Sequence, residues 1–346
     1  MTDTNEPKLL KPFISELEVG NPLGHLNLTL VPLRGKRSGY MSYLLAADAI
    51  TTGQLTVTEV DEGGSVPEIM VTSTADVMIL LLDGEELAGA KQNRILNTTI
   101  LLPARAKMRI PVSCVEQGRW HSESIKFMPA ESCAPPKMRA DKSVSVSENL
   151  RSTGRAKSDQ SKVWEEVAFM VADCKAPAPT QAMSDVVKHK RVSIDQYAKA
   201  LEYPAEARGV AVAINGKFVA LDLFDKPGTL ERIWPRLTRG YALEATLKNP
   251  DGHFPFTAKD ARDIIEQIGK IECQPFPSVG VGSDWRFEAD AVLGQALVAD
   301  DACVHLCAFP NTERNRRYGH SSGSIAPPNM RRRRRRRRRE DDFGEI

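Results

Sequence analysis

Between Val77 and Trp120 the chain reads VMILLLDGEELAGAKQNRILNTTILLPARAKMRIPVSCVEQGRW, with charged and amide side chains set between apolar runs. Arg94 and Arg119 carry planar forks that match phosphate or carboxylate. Lys91 adds a third cation, Gln92 and Asn97 donate and accept hydrogen bonds, and Trp120 offers a flat face for a base or sugar. Glu85, Glu86 and Glu116 can pair with the arginines, read ribose hydroxyls or serve as acid and base. The catalytic candidates are Glu85 and Glu116. The ligand-binding candidates are Lys91, Gln92, Arg94, Asn97, Arg119 and Trp120. The same groups also fit a polar network that holds irregular turns together, because buried polar groups need partners.

These residues need strands to position them. Val77–Leu82 is a six-residue apolar run of strand length, and Asp83-Gly84 is a favoured two-residue hairpin turn that returns Glu85–Leu87 beside it. Further strands fit Thr98–Leu102 and Met108–Val115. In the second, Ile110, Val112 and Cys114 share one face by the two-residue period. Upstream, His25–Leu33, Gln54–Val60 and Glu68–Thr72 read as strands, with turns at Lys36–Gly39 and Gly63-Gly64-Ser65. A short helix runs from a Ser42 cap through Ile50 to Gly53. So many short strands fit a sandwich or a partly closed barrel.

Residues 129–160 break the pattern. Pro129, Pro135 and Pro136 precede a serine-rich, basic segment with little to bury, which predicts a polar loop or linker. Its Lys137, Arg139, Lys142, Arg151, Arg155 and Lys157 fit a solvated loop, or a lid over an anion. From Ser161 the period becomes helical: Val163, Val167, Met170, Val171 and Cys174 share a face. Ser193–Gln196 has the form of a capping box, with Val192 and Tyr197 as its staple, for a helix ending at Tyr203. Asn215-Gly216 marks a hairpin in GVAVAINGKFVALDLF, residues 209–224, whose apolar arms predict cover on both faces. Asp225 caps a helix that Pro235 kinks or divides, Thr257–Asp260 opens another, and residues 293–309 form a final hairpin around Asp300-Asp301. The fold class is therefore α+β: a strand-rich N-terminal part packs with a C-terminal part of helices on antiparallel sheet. The expected layout is a flexible terminus over 1–10, a strand-rich part over 11–128, the linker over 129–160, an α+β part over 161–310 and a basic tail over 311–346.

LLLDGEELAGAKQNRILN followed by PVSCVEQGRW resembles the ARG and Rhodanese-Phosphatase-superfamily-associated Protein domain family. SDQSKVWEEV at 158–167, LDLFDKPGTLERIWPRL at 221–237 and HLCAFP at 305–310 extend the resemblance over about residues 10–310. It implies a setting in ADP-ribose or nucleotide metabolism and specifies no reaction. Together with the residue types it gives the leading expectation, binding or processing of a phosphorylated ribose-type ligand such as ADP-ribose. Arg94 and Arg119 would then hold phosphate. The alternative is a non-enzymatic scaffold or interaction protein whose polar cluster is structural.

Other chemistry is thinner. Val279-Gly-Val-Gly-Ser-Asp284 lacks the third glycine of a dinucleotide fingerprint. Cys303, His305 and Cys307 share a strand face, but a closed metal site needs a fourth ligand, and small core residues explain the spacing; no metal is expected. Cys114 reads as a core cysteine, and His121 as a surface histidine or, near the cluster, an acid-base group. No cofactor is specified. The six cysteines contain no CxxC, no apolar run is long enough for a membrane span, and no signal core opens the chain, which together predict a reduced, cytoplasmic protein. Residues 311–346 carry twelve arginines against five acids, nine of them consecutive at Arg331–Arg339, while the first 310 residues hold 35 basic and 40 acidic groups. Mutual repulsion predicts a disordered tail, suited to non-specific nucleic acid, and the mildly acidic body has no such footprint of its own.

Overall fold

The computed structural model describes residues 8–36, 41–61, 66–250 and 255–312. The Gly63-Gly64-Ser65 turn, most of the turn at 36–39 and Arg331–Arg339 lie outside the described residues. The observed fold is α+β. Its largest sheet runs β1 (Lys8–Leu9), β16 (Glu272–Pro277), β17 (Ser283–Glu288), β18 (Val292–Ala299), β19 (Ala302–Pro310), β15 (Lys217–Phe224), β14 (Gly209–Ile214), β4 (Leu28–Arg34) and β2 (Glu18–Val19), with β3 (Leu23–His25) also on β4. A second sheet runs β13 (Phe127–Cys133), β9 (Glu85–Gly89), β10 (Arg94–Leu96), β12 (Lys107–Cys114), β7 (Glu68–Ser73) and β6 (Leu55–Thr58). Its outer strands β13 and β6 approach each other, so the sheet is partly closed. A third sheet holds β11 (Ile100–Leu102), β8 (Met78–Leu81) and β5 (Tyr43–Leu45). The helices are α1 (Lys11–Ile14), α2 (Ala46–Thr51), α3 (Pro136–Thr153), α4 (Gln160–Cys174), α5 (Met183–His189), α6 (Arg191–Ala200), α7 (Pro227–Thr246) and α8 (Ala258–Lys270).

The predicted hairpin at 209–224 lies near the middle of the large sheet. Asn215 and Gly216 both take positive φ, 51° and 71°, as a type I′ turn requires. Val210, Val212 and Ile214 face one core, which also contains Trp234 and Tyr241 of α7. Ala211 and Ala213 face a second core under Ile265 and Ile268 of α8. Alternate residues thus enter opposite cores, which is why both arms are apolar. The hairpin at Asp300-Asp301 forms as expected, with φ of 45° and 57°. Thr257 and Asp260 form a reciprocal capping box at α8.

Several local expectations are corrected. Asp83-Gly84 is a turn, but it does not close a hairpin: β8 pairs with β11 and β5, whereas β9 pairs with β10 and β13. Gly84 has φ +76°, and a Cβ there would lie 2.8 Å from the side chain of Arg139. The turn is therefore shaped by α3 and sends the chain from one sheet to another. His25–Leu33 is two paired strands, β3 and β4, with Leu26 at positive φ between them. Val192 is 75% exposed and α6 starts at Arg191, after Lys190 and without a side-chain cap, so the staple and capping box do not form. Lys226 rather than Asp225 caps α7, which runs on through Pro235. At the chain start, β1 pairs with β16 and Leu10 is fully buried, so residues 8–10 are ordered.

The largest correction is at 129–160. In place of a linker, β13 leads into the eighteen-residue α3, with Pro136 in its first turn and Gly154 closing it in the left-handed region, φ +68°. Arg139 and Lys142 are fully buried, and Ser143, Ser145 and Ser147 lie on buried positions too. The apolar period is missing because α3 packs a polar face, whose partners are charged side chains on distant strands. Residues through Asn311 form one compact unit, and the large sheet takes strands from both sides of this helix. Among the described residues no helix is long and apolar enough to cross a membrane, and all six cysteines are buried and outside any disulfide.

Burial of α3 sets its protease sensitivity. Brief digestion of the native protein with trypsin is expected to leave the bonds after Arg139 and Lys142 intact. Mass spectrometry of the fragments checks this, and rapid cutting at either residue would contradict a packed α3.

Candidate functional site

The predicted candidates separate into several clusters. Arg119 and Glu116 form a closed pair at the end of β12. Arg119 Nε and Nη2 donate to the two Glu116 oxygens at 2.8 and 2.6 Å. Its remaining donors reach Ala90 O at 2.6 Å, His121 O at 3.2 Å and Asn93 Oδ1 at 3.3 Å. All five guanidinium N–H groups are thereby used. Glu116 also accepts from Asn93 N at 3.1 Å and Thr180 Oγ1 at 2.8 Å, so its lone pairs are filled too. These hydrogen bonds from Arg119, Asn93 and Thr180 outweigh burial and hold the Glu116 carboxyl below the usual range.

Arg94 lies beyond Glu116, across β10 and β12, in register with Cys114. It is fully buried. Its Nη1 donates to Gln92 Oε1 at 2.9 Å and touches Cys114 Sγ, and Nη2 is 3.6 Å from Glu59. Nε and Nη2 have no hydrogen-bond partner. Burial pushes the Cys114 thiol up to about 11 despite the nearby guanidinium, so it stays protonated and unreactive at neutral pH. Asn97 is in a different cluster. It accepts from Ser113 Oγ at 2.6 Å and donates to Ala156 O at 3.2 Å. Glu85 accepts from Leu82 N at 2.8 Å and lies 2.6 Å from Arg236 of α7. Trp120 is half exposed beneath the Lys91 ammonium, 5.5 Å from its ring centroid, and His121 is exposed. Glu86 is buried with only Asn93 Nδ2, at 3.3 Å, as a hydrogen-bond donor. Burial pushes its carboxyl up to about 8.

A second constellation escaped the sequence reading. Asp83, Arg139, Lys142, Asp222, Tyr241, His305 and Thr99 meet under α3, which packs on β15, β18 and β19 of the large sheet and reaches the ends of β8 and β10 through Arg139 and Lys142. Arg139 Nε donates to Asp83 at 3.1 Å, and its two terminal nitrogens grip Asp222 at 2.9 and 2.6 Å. The Lys142 ammonium donates to Asp83 Oδ1, to Leu96 O at 2.7 Å and to Asn97 O at 3.0 Å, which uses its three protons. Tyr241 Oη donates to Asp222 at 2.6 Å. His305 bridges Asp222, at 3.1 Å from Nε2, and Thr99, at 2.8 Å from Nδ1. All seven residues are buried. The surrounding cations outweigh burial and hold both aspartate carboxyls below the usual range, with Lys142 and Arg139 acting on Asp83 and Arg139 on Asp222. Asp222, His305 and Cys307 offer donors within 4.8 Å of one another. They do not make a cation site, because the Asp222 oxygens already accept from Arg139, Tyr241 and His305, and a metal would displace Arg139. Spacing alone had no means of finding this network. Its members are far apart in the chain, though the isolated Asp83 and Asp222 in apolar strands were visible marks.

A third buried group ties β17 and β18 to the stretch before β11. Thr98 Oγ1 bonds Asp284 at 2.9 Å, Gln295 at 3.0 Å and Arg286 at 2.9 Å. Val279–Asp284 forms the turn into β17. Val281 N donates to Leu101 O at 2.8 Å, and a Cβ on Gly280 would collide with that carbonyl. The glycine there serves packing and not phosphate binding.

The clusters draw on the motifs at 80–97, 111–120, 221–237 and 305–310 that gave the resemblance. A family model, the ARG and Rhodanese-Phosphatase-superfamily-associated Protein domain, matches residues 16–309. The chain belongs to this family. No curated protein and no solved structure matches it. The match covers α2 to α8 and the strands from β2 to β19 up to Phe309, and with them the three buried clusters.

Two outcomes follow from these clusters. Asp222→Asn leaves the buried cations Arg139 and Lys142 with Asp83 as their one carboxylate and should cost about 3–5 kcal/mol in urea unfolding. Glu86 titrates the other way. Burial holds its folded pKa, about 8, above the ordinary carboxyl value of 4.5. Its contribution is fully present below pH 4.5 and is lost as pH rises through 8. Glu86→Gln should therefore unfold like wild type near pH 4.5 and be more stable by about 1–3 kcal/mol at pH 9. Thermal melts across that range check it, and a pH-independent difference would refute it.

Proposed function

We propose that this family member is a non-enzymatic scaffold or interaction protein, and that the polar stretch from Glu85 to Arg119 is part of its structural core. One observation carries this reading. Glu116 and Arg119 are buried, and every donor and acceptor they own is taken by protein groups. A base or a phosphate clamp needs a free lone pair or N–H aimed at the ligand. Glu85 accepts from Leu82 N and pairs with the Arg236 guanidinium at 2.6 Å, although its Oε1 has no hydrogen-bond partner.

A second reading keeps the phosphorylated ribose-type ligand, in the ADP-ribose setting that the family name indicates. What favours it is Arg94, whose Nε and Nη2 are buried without a hydrogen-bond partner. Such a group is costly and marks a place where an anion would be welcome. On this reading Gln92 orients Arg94, and Lys91 with Trp120 forms an exposed approach.

Thermal shift against ADP-ribose and NAD separates the two. The scaffold reading expects no rise in Tm at millimolar ligand, since specific binding must raise apparent stability by mass action. It expects Arg119→Gln to destabilise by about 3–5 kcal/mol. A ligand-dependent rise in Tm that Arg94→Gln abolishes would favour the second reading instead.

A further inference from the structure

Away from these clusters, α1 closes over the C-terminal part of α8. Ala261, Ile265 and Ile268 of α8 enter the same core as Leu10 and Ile14. The two helices meet closely at Gly269, where a Cβ would sit 3.3 Å from Ile14 Cδ1. Beside that contact, between the helices and β2, lies an open cleft of about 420 Å³. Its floor is apolar: Ile14, Leu17, Val19 and Ile265. Its rim is charged, with Lys11, Arg262 and Lys270 facing only Glu266, and Ser15 adds a hydroxyl. These rim side chains make no hydrogen bond or ion pair with a described residue. The positive rim also runs against the acidic balance of the first 310 residues.

We propose that this cleft binds a single-chain amphiphile with an anionic head, a medium-length fatty carboxylate. The volume falls in the range of small-molecule sites, roughly 300–1,000 Å³. The apolar floor takes the chain, and burial of each methylene favours binding. The three cations take the carboxylate. A nucleotide has no tail to cover the half-buried Leu17 and Val19, and a neutral lipid leaves the cations unanswered. The assignment is independent of the scaffold reading, because none of the cleft residues belongs to the buried clusters.

Calorimetric titration of the whole protein with decanoate, below its micelle concentration, tests the proposal. Decanoate is expected to bind at one per chain. Octanoate should bind about tenfold more weakly, as loss of two methylenes implies, and decanol more weakly still. Arg262 and Lys270 are exposed, so Arg262→Glu with Lys270→Glu should leave the fold intact. That pair should weaken decanoate more than about tenfold while leaving decanol unchanged. Leu17→Trp, which fills the floor from a half-buried position, should weaken both. Decyl phosphate binding about tenfold or more tighter than decanoate would overturn the carboxylate assignment. Absence of binding at millimolar decanoate, equal affinity for decanol, or indifference to charge reversal would overturn the site.

Discussion

Arg139 and Lys142 lie three residues apart on α3 and place two positive charges inside the protein, where Asp83 and Asp222 meet them. Asp83 sits between the third sheet and the second, Asp222 lies on β15 of the large sheet, and Lys142 also holds the carbonyls of Leu96 and Asn97 at the end of β10. One helix thereby ties all three sheets at a single point. Desolvating four charges is expensive, and apolar side chains of similar volume would often be equally stable. What the cluster supplies is direction. Each carboxylate accepts a cation only from the side where α3 runs, and Gly84 leaves room only for the Arg139 stem.

The rest of the core follows from that anchor. With α3 in place, β15 is covered, so β14 and β15 can be apolar on both faces and belong to two different cores. His305 completes the arrangement. It joins Asp222 on β15 to Thr99 just before β11, and its ring stacks on Phe224 at 4.7 Å. The Thr98 group does the same one residue earlier, so Thr98 and Thr99 tie the third sheet to β15 and to β17–β19.

The polar residues of the central stretch acquire a different meaning in this setting. A motif dense in Glu, Arg, Asn and Gln has the composition of a ligand site, and it has equally the composition of a core that must connect irregular turns. The two are told apart by counting donors and acceptors against partners. Arg119 with Glu116 is complete. Arg94 is not, and Glu86 is held with a single donor.

Several local signals were legible because their cause was local, although the capping box at Ser193 and the cap at Asp225 did not form. Asn215-Gly216 and Asp300-Asp301 turned the chain as their backbone preferences require, and Thr257 with Asp260 capped α8. The α+β class, the helical face of α4 and the long family motif were likewise readable from the chain. Strand partners were not. Asp83-Gly84 is a good hairpin turn by type, yet β8 and β9 enter different sheets, because a turn specifies a local reversal and not the strand that will lie alongside. α3 was hidden for a related reason. Periodicity detects a helix through the apolar face it buries, and α3 buries arginine, lysine and serine. The sequence by itself determined the elements whose partners are neighbours in the chain. Only the tertiary structure decided those whose partners are charges brought from Asp83 and Asp222, because a buried Arg or Lys looks the same in sequence as a solvated one until its carboxylate is in place.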